Sequence, residues 1–119
     1  MNKEKLVNLL REDLKNEYGH MLFYLNASIC IQGPFREELG EFLRKEASDE
    51  MNHVEEFGKL IVDLDGIPNF DKLDYPKTNL TDVRSIVQYA YDMETEVVAR
   101  YVQRMEDAME LGDVDGRYV

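Results

Sequence analysis

The sequence predicts an all-α fold, a bundle of three long helices with an extended crossover between the second and the third. Three observations carry this. Apolar residues recur at helical spacing through three long stretches, the prolines and glycines fall mostly between those stretches, and segment 66–80 has no helical period. With 119 residues the chain is expected to form one domain over 1–119, with a modest core.

The first helix is expected over about 3–31, where Leu6, Leu9, Leu10, Leu14, Met21, Tyr24, Leu25, Ser28 and Ile31 recur on one side. Gly33 should stop it, and Pro34 suits the first turn of the next helix, which needs no N–H. So short a connection makes the two helices antiparallel. The second is expected over about 34–65, its apolar side marked by Leu39, Phe42, Leu43, Val54, Phe57, Leu60, Ile61 and Leu64, and Gly66-Ile67-Pro68 ends it. Segment 66–80 holds two of the prolines and could reach ~50 Å when extended, the length of a 30-residue helix at ~1.5 Å per residue. A lengthwise crossover, leaving helices two and three parallel, explains a connection of that size. Thr81 or Asp82 can cap the third helix, expected over about 81–111 through Val83, Ile86, Val87, Ala90, Val97, Tyr101, Met105 and Met109. Gly112 terminates it, and 113–119 has turn chemistry. Three such helices leave apolar faces wide enough for a fourth, which is expected to be missing or truncated.

The formal net charge of −11 disfavours phosphate contacts with nucleic acid and favours attraction of cations. The single cysteine, Cys30, excludes an intramolecular disulfide framework, fits a reducing compartment, and reads as a small core residue. No run approaches the ~18 apolar residues of a membrane span, so a soluble, cytoplasmic protein without a membrane partner is expected.

The chemistry lies on the apolar stripes. Glu50 and His53, at i and i+3, share one face of the second helix, and Glu-x-x-His is the pattern by which helical bundles hold carboxylate-bridged metal pairs. Alone it is a weak signal, since acidic helices produce it by chance. Glu17 lies in line with Leu10, Leu14, Met21 and Tyr24, and Glu94 in line with Val87, Ala90, Val97 and Tyr101. Each of these carboxylates falls near the middle of its helix, so an antiparallel pair with a parallel third helix brings them to one level. An unpaired buried carboxylate is expensive, so such a layer needs cations. Oxygen mixed with imidazole suits iron or manganese, with zinc as a competitor. His20 makes a second Glu-x-x-His with Glu17. The reading preferred for it is a histidine at the stripe's edge, partnered by a carboxylate or carbonyl, and the other is an accessory ligand. Glu46 either orients a ligand or pairs with a Lys or Arg. Glu96 lies ~200° from Glu94 and belongs to the surface.

With Glu17, the stretch Glu46-Ala47-Ser48-Asp49-Glu50-Met51-Asn52-His53, the long crossover and Glu94, nearly the whole chain resembles the ferritin-like superfamily, and within it bacterioferritin most. The resemblance implies a ferritin-like bundle, with Glu17 and Glu94 as terminal ligands of two irons, Glu50 as a bridge and His53 as a nitrogen ligand. Tyr24 matches a tyrosine near the di-iron centre, implying electron donation, though a core aromatic needs no such role. Met51 resembles a methionine that ligates haem across a two-fold interface, and methionine is also a common packing residue. The chain departs from the pattern in lacking the fourth helix with its second Glu-x-x-His. The resemblance implies a homo-oligomer, at least a dimer, that oxidises Fe(II) with oxygen or peroxide and stores the product. The alternatives are a di-iron oxidase or peroxidase without storage, and an acidic helical interaction module whose carboxylates are satisfied by Lys or Arg.

Overall fold

The computed structural model describes residues 1–70 and 76–112. Segment 71–75 and the stretch 113–119, for which turn chemistry is expected, lie outside the described residues. The chain forms α1 (Lys3–Cys30), α2 (Arg36–Asp63) and α3 (Val83–Leu111).

Each start has a local cause. Asn2 accepts a hydrogen bond from the Lys5 N–H at the head of α1, and Asp82 accepts one from the Ser85 N–H at the head of α3, satisfying donors that the first turn leaves free. The second helix begins later than its sequence suggests. Gly33, at φ 119°, Pro34 and Phe35 form a turn closed by Arg36 N–H to the Gly33 carbonyl, so Pro34 precedes α2 instead of entering its first turn. At the other end of α2 the left-handed residue is Asp65, not Gly66.

α1 is the central element and packs against both others, while no Cα pair of α2 and α3 comes within 8 Å. α1 and α2 are antiparallel. Their approach is close at Gly40, where a Cβ would stand 2.9 Å from the Ser28 carbonyl oxygen. α3 also runs antiparallel to α1: its head meets the tail of α1 through Gln32 N–H to Thr81 O, and its tail meets the chain's first residue through Glu110 and the Met1 ammonium. α2 and α3 are therefore parallel, and the crossover climbs the length of α1 between them. Arg11 donates to the Ile67 carbonyl, Tyr18 meets the edge of Phe70, and Asn26 donates to the Thr78 carbonyl, at successively higher levels of α1. The folded unit is 53 Å long and 23 by 21 Å across.

The hydrophobic core is divided. Leu6, Val7, Leu10, Leu14, Val54, Ile61 and Leu64 pack at one end. Met21, Phe23, Tyr24, Ala27, Ile31, Leu43, Ala47 and Ile86 pack at the other. Between Leu14 and Met21 on α1, and between Ala47 and Val54 on α2, the inward positions are Glu17, His20 and Glu50. Some residues expected on buried stripes are not buried. Phe42 is 60% exposed because Gly40, Leu43 and Ala47 turn towards α1 in its place. Val87, Met105 and Met109 are also exposed, on a flank of α3 turned away from α1 where no described helix packs. Cys30 is only half-buried.

Candidate metal centre

The polar layer is built from all three helices. Glu17 is 1% exposed and Glu50 5%, an environment in which an ionised carboxylate needs a partner. Among the described residues no Lys or Arg makes an ion pair with Glu17, Glu50 or Glu94. What faces these carboxylates is imidazole and phenol. His53 Nδ1 lies 3.3 Å from Glu50 Oε2 and 3.4 Å from Glu17 Oε2, with the ring 40% exposed. The Tyr101 hydroxyl donates to Glu17 Oε1 at 2.7 Å, and the Tyr24 hydroxyl donates to Glu94 Oε1 at 2.9 Å. The arrangement is reciprocal: α1 carries Glu17 and Tyr24, α3 carries Glu94 and Tyr101, each tyrosine seven residues after its glutamate, and on antiparallel helices each tyrosine reaches the other helix's glutamate. Glu17 Oε2 is left buried without a fixed donor.

Two sets of possible ligand atoms lie within 4.8 Å of one another: Glu17, Glu50 and His53, and His20, Glu50 and Glu94. Glu50 belongs to both. Donors held ~2.1 Å from one ion stand at most ~4.2 Å apart, so each set needs only a small contraction to close on a first-row cation. These residues therefore fit divalent metal, with compensating charge that no Lys or Arg among the described residues supplies.

The electrostatics agree. Burial, a hydrogen bond shared with Glu17 and the charges of Glu17, Glu94 and Glu46 push the Glu50 carboxyl up to about 9, so without metal it keeps its proton at neutral pH. Burial works in the same direction on Glu17, but its hydrogen bonds from Glu50 and Tyr101 and the nearby imidazoles outweigh it and hold that carboxyl below the usual range. Burial pushes both tyrosine hydroxyls well up, and their carboxylate partners add to it, so they remain donors. Burial lowers His20, against the pull of Glu17 and Glu94, which keeps the ring neutral with a lone pair to offer.

The structure brings together Glu17, Glu50, His53 and Glu94, with Tyr24 beside Glu94. Met51 does not join them. It is 44% exposed and ~200° around α2 from His53. One participant, Tyr101, is not singled out by the sequence, where it reads as a residue of the apolar stripe, although its spacing from Glu94 repeats that of Tyr24 from Glu17. His20, which the second Glu-x-x-His marks, is expected at the stripe's edge, yet it is 6% exposed, with Tyr89 and Met93 of α3 and Pro76 of the crossover lining the cavity beside it. That cavity, polar and of about 300 Å³, is lined also by Glu12, Lys15, Glu96 and Arg100 and reaches His20 from outside.

Comparison with known proteins agrees with this architecture. Residues 7–117 match the family model of the ferritin-like domain. Curated relatives include bacterial non-heme ferritins of two Bacteroides fragilis strains, 638R and YCH46, each 24% identical over 92% of this chain and 65% of the relative. The chain thus spans just under two thirds of those relatives' length. Among solved structures, a ferritin-like diiron-carboxylate protein from Bacillus anthracis str. Ames is 31% identical, with a TM-score of 0.81, over 92% of this chain and 77% of that one. A DPS protein from Vibrio cholerae O1, described as a member of a broad superfamily of ferritin-like diiron-carboxylate proteins, is 26% identical at a TM-score of 0.79, covering 93% and 74%. With its helical order, its lengthwise crossover and a match over nearly its whole length, the chain belongs to the ferritin-like domain family.

Proposed function

We propose that the chain binds Fe(II) at the layer formed by Glu17, Glu50, His53 and Glu94, oxidises it to Fe(III), and passes the product to storage within a homo-oligomer. The observation that carries this reading is the buried pair Glu17 and Glu50, with the more exposed Glu94 beside it, facing imidazole and phenol partners and, among the described residues, no Lys or Arg. The names of the curated and structural relatives, ferritin and ferritin-like diiron-carboxylate protein, support iron over manganese or zinc, which the same donors would also take.

Fe(II) is the substrate. Its arrival displaces the Glu50 proton, so that Glu50 can offer both oxygens, and Glu17 and Glu94 are held in position by Tyr101 and Tyr24. His53, being 40% exposed, leaves its side of the layer open to solvent. Two Fe(II) supply the two electrons that convert dioxygen and two protons to hydrogen peroxide. Where only one Fe(II) is bound, we assign the second electron to Tyr24, hydrogen-bonded to Glu94, which gives up its hydroxyl proton with it as one of the two protons that peroxide takes. A haem ligated by Met51 would have to lie on another face of α2, shared with a second copy, and has no part in this chemistry.

Anaerobic Fe(II) titration, with Glu50→Ala as control, tests the reading. Binding that is lost in the variant, followed on admitting air by Fe(III) formation faster than in protein-free buffer, is expected. Equal binding by both proteins would overturn the site.

A further inference from the structure

We infer that His20 is a ligand for a second cation, so that α1 and α2 each contribute a Glu-x-x-His pair and Glu50 is shared between two metal positions. The inference rests on the metal-binding reading above and says which residues close the second position.

Four observations point the same way. His20 is 94% buried by complement of its 6% exposure, and its Nδ1 has no hydrogen-bond partner, an expensive state for a polar atom that lacks a ligand. A ring nitrogen of His20 lies within 4.8 Å of carboxylate oxygens of both Glu50 and Glu94. The remaining set, Glu17, Glu50 and His53, has the same composition, two carboxylates and one imidazole, so the two positions offer a cation the same kinds of donor. Finally, Glu17 and His20 repeat on α1 the spacing of Glu50 and His53 on α2. On antiparallel helices a repeated i, i+3 pair presents its two members in opposite order, which sends the two histidines to opposite ends of the layer. A bundle metal pair takes one such motif from each of two helices, with lone glutamates from others. Here the two motifs lie on the paired helices α1 and α2, and Glu94 of α3 is a lone glutamate, so both nitrogen ligands lie within the described helices.

The competing account is that His20 is a buried polar residue served by water from the adjoining cavity. Titration of the full chain with Co(II) separates the two, reading both the number of ions bound and the visible spectrum. The wild type is expected to take two ions, His20→Leu and His53→Leu one each, and Glu50→Ala neither with comparable affinity. The loss at the affected position should exceed the ~10–100-fold typical of residues that only support a ligand. His20→Cys guards against a folding defect in the leucine variant. A thiolate-to-cobalt charge-transfer band arising in it shows that residue 20 touches the metal, which a structural role cannot produce. His20→Leu binding as many ions as the wild type at unchanged affinity, or His20→Cys loaded with Co(II) but lacking the band, would overturn the inference while leaving the Glu17, Glu50, His53 position standing. Absence of any Glu50-dependent binding in the wild type would remove the site as a whole.

Discussion

Asp13 and Glu17 stand one turn apart on α1, both buried, and meet opposite surroundings. Asp13 faces Arg104 of α3, whose guanidinium forks onto it, with Nη2 at 3.0 Å from Oδ1, and whose Nη1 also donates to Asp107 at 2.6 Å. Glu17 faces Glu50, His53 and the Tyr101 hydroxyl, and among the described residues pairs with no arginine or lysine. One layer carries its counter-charge in the polypeptide. The other holds a proton on Glu50 in place of a cation. The same helix face therefore contains a closed ionic lock and, one turn on, an open carboxylate site, and only the second is available to a dissolved ion.

The difference is first broken by removing the internal cation. Arg104→Leu leaves Asp13 buried without its cation and Asp107 with only the Gln103 amide, and burial already pushes Asp13 up even with Arg104 beside it. Breaking a buried pair from one side costs about 3–5 kcal/mol, so denaturant unfolding should show the largest loss here. Divalent metal should not restore it.

The open layer should respond to metal in the opposite way. A saturating ion at 100 times its dissociation constant adds about 2.7 kcal/mol to the stability of the native state. Thermal unfolding with and without Mn(II) should show that gain in the wild type and lose it in Glu50→Ala, while Arg104→Leu keeps it. If Glu50→Ala gained as much as the wild type, the ions would be bound at the acidic surface instead.

Proton and metal compete for Glu50, which gives a pH signature. Its folded-state value, about 9, is raised above the ordinary 4.5, so the native metal-free protein binds the proton more tightly than the unfolded chain. The stability this gives is full below about pH 4.5 and is lost as pH rises towards about 9, with a slope of at most about 1.4 kcal/mol per pH unit. Glu17, shifted down, acts in the other sense, in a window at and below its ordinary value. Unfolding midpoints of metal-free protein from pH 5 to 9 should therefore fall in the wild type and stay level in Glu50→Gln. With metal the trend should weaken or reverse, because the bound form needs Glu50 deprotonated.

How much of this contrast was legible in the sequence depends on which helix covers what. The three helices, the antiparallel and parallel senses and the crossover follow from apolar period and segment length, and Glu17, Glu50, His53 and Glu94 stand out because a charge on an apolar stripe is conspicuous. Arg104 lies on the stripe of α3 three residues after Tyr101 and was visible by the same test, but a stripe position does not reveal whether Asp13 and Asp107 will meet it. His20 is placed at an edge by α1's own period, which does not show the α3 and crossover residues that line the cavity beside that edge. Phe42, Val87, Met105 and Met109 erred the other way: periodicity marks a face as apolar, not as covered.

The smallest effect concerns the two tyrosines, and it sharpens the comparison most. Tyr101→Phe removes the donor to Glu17 Oε1, and Tyr24→Phe removes the one to Glu94 Oε1. In a closed layer such a loss strands a buried charge. In the open layer the carboxylates can redistribute the proton that Glu50 holds, so each substitution should cost only about 1 kcal/mol in metal-free protein. The two should still differ, because Glu17 is buried and has a second oxygen without a fixed donor, whereas Glu94 is the most exposed of the three carboxylates. Tyr101→Phe should therefore be the costlier by denaturant unfolding, and metal should shrink the gap between them by supplying Glu17 with the partner the hydroxyl had been. A Tyr24→Phe cost equal to or above that of Tyr101→Phe would mean that Glu94, not Glu17, carries the charge that the metal-free protein must hold in place.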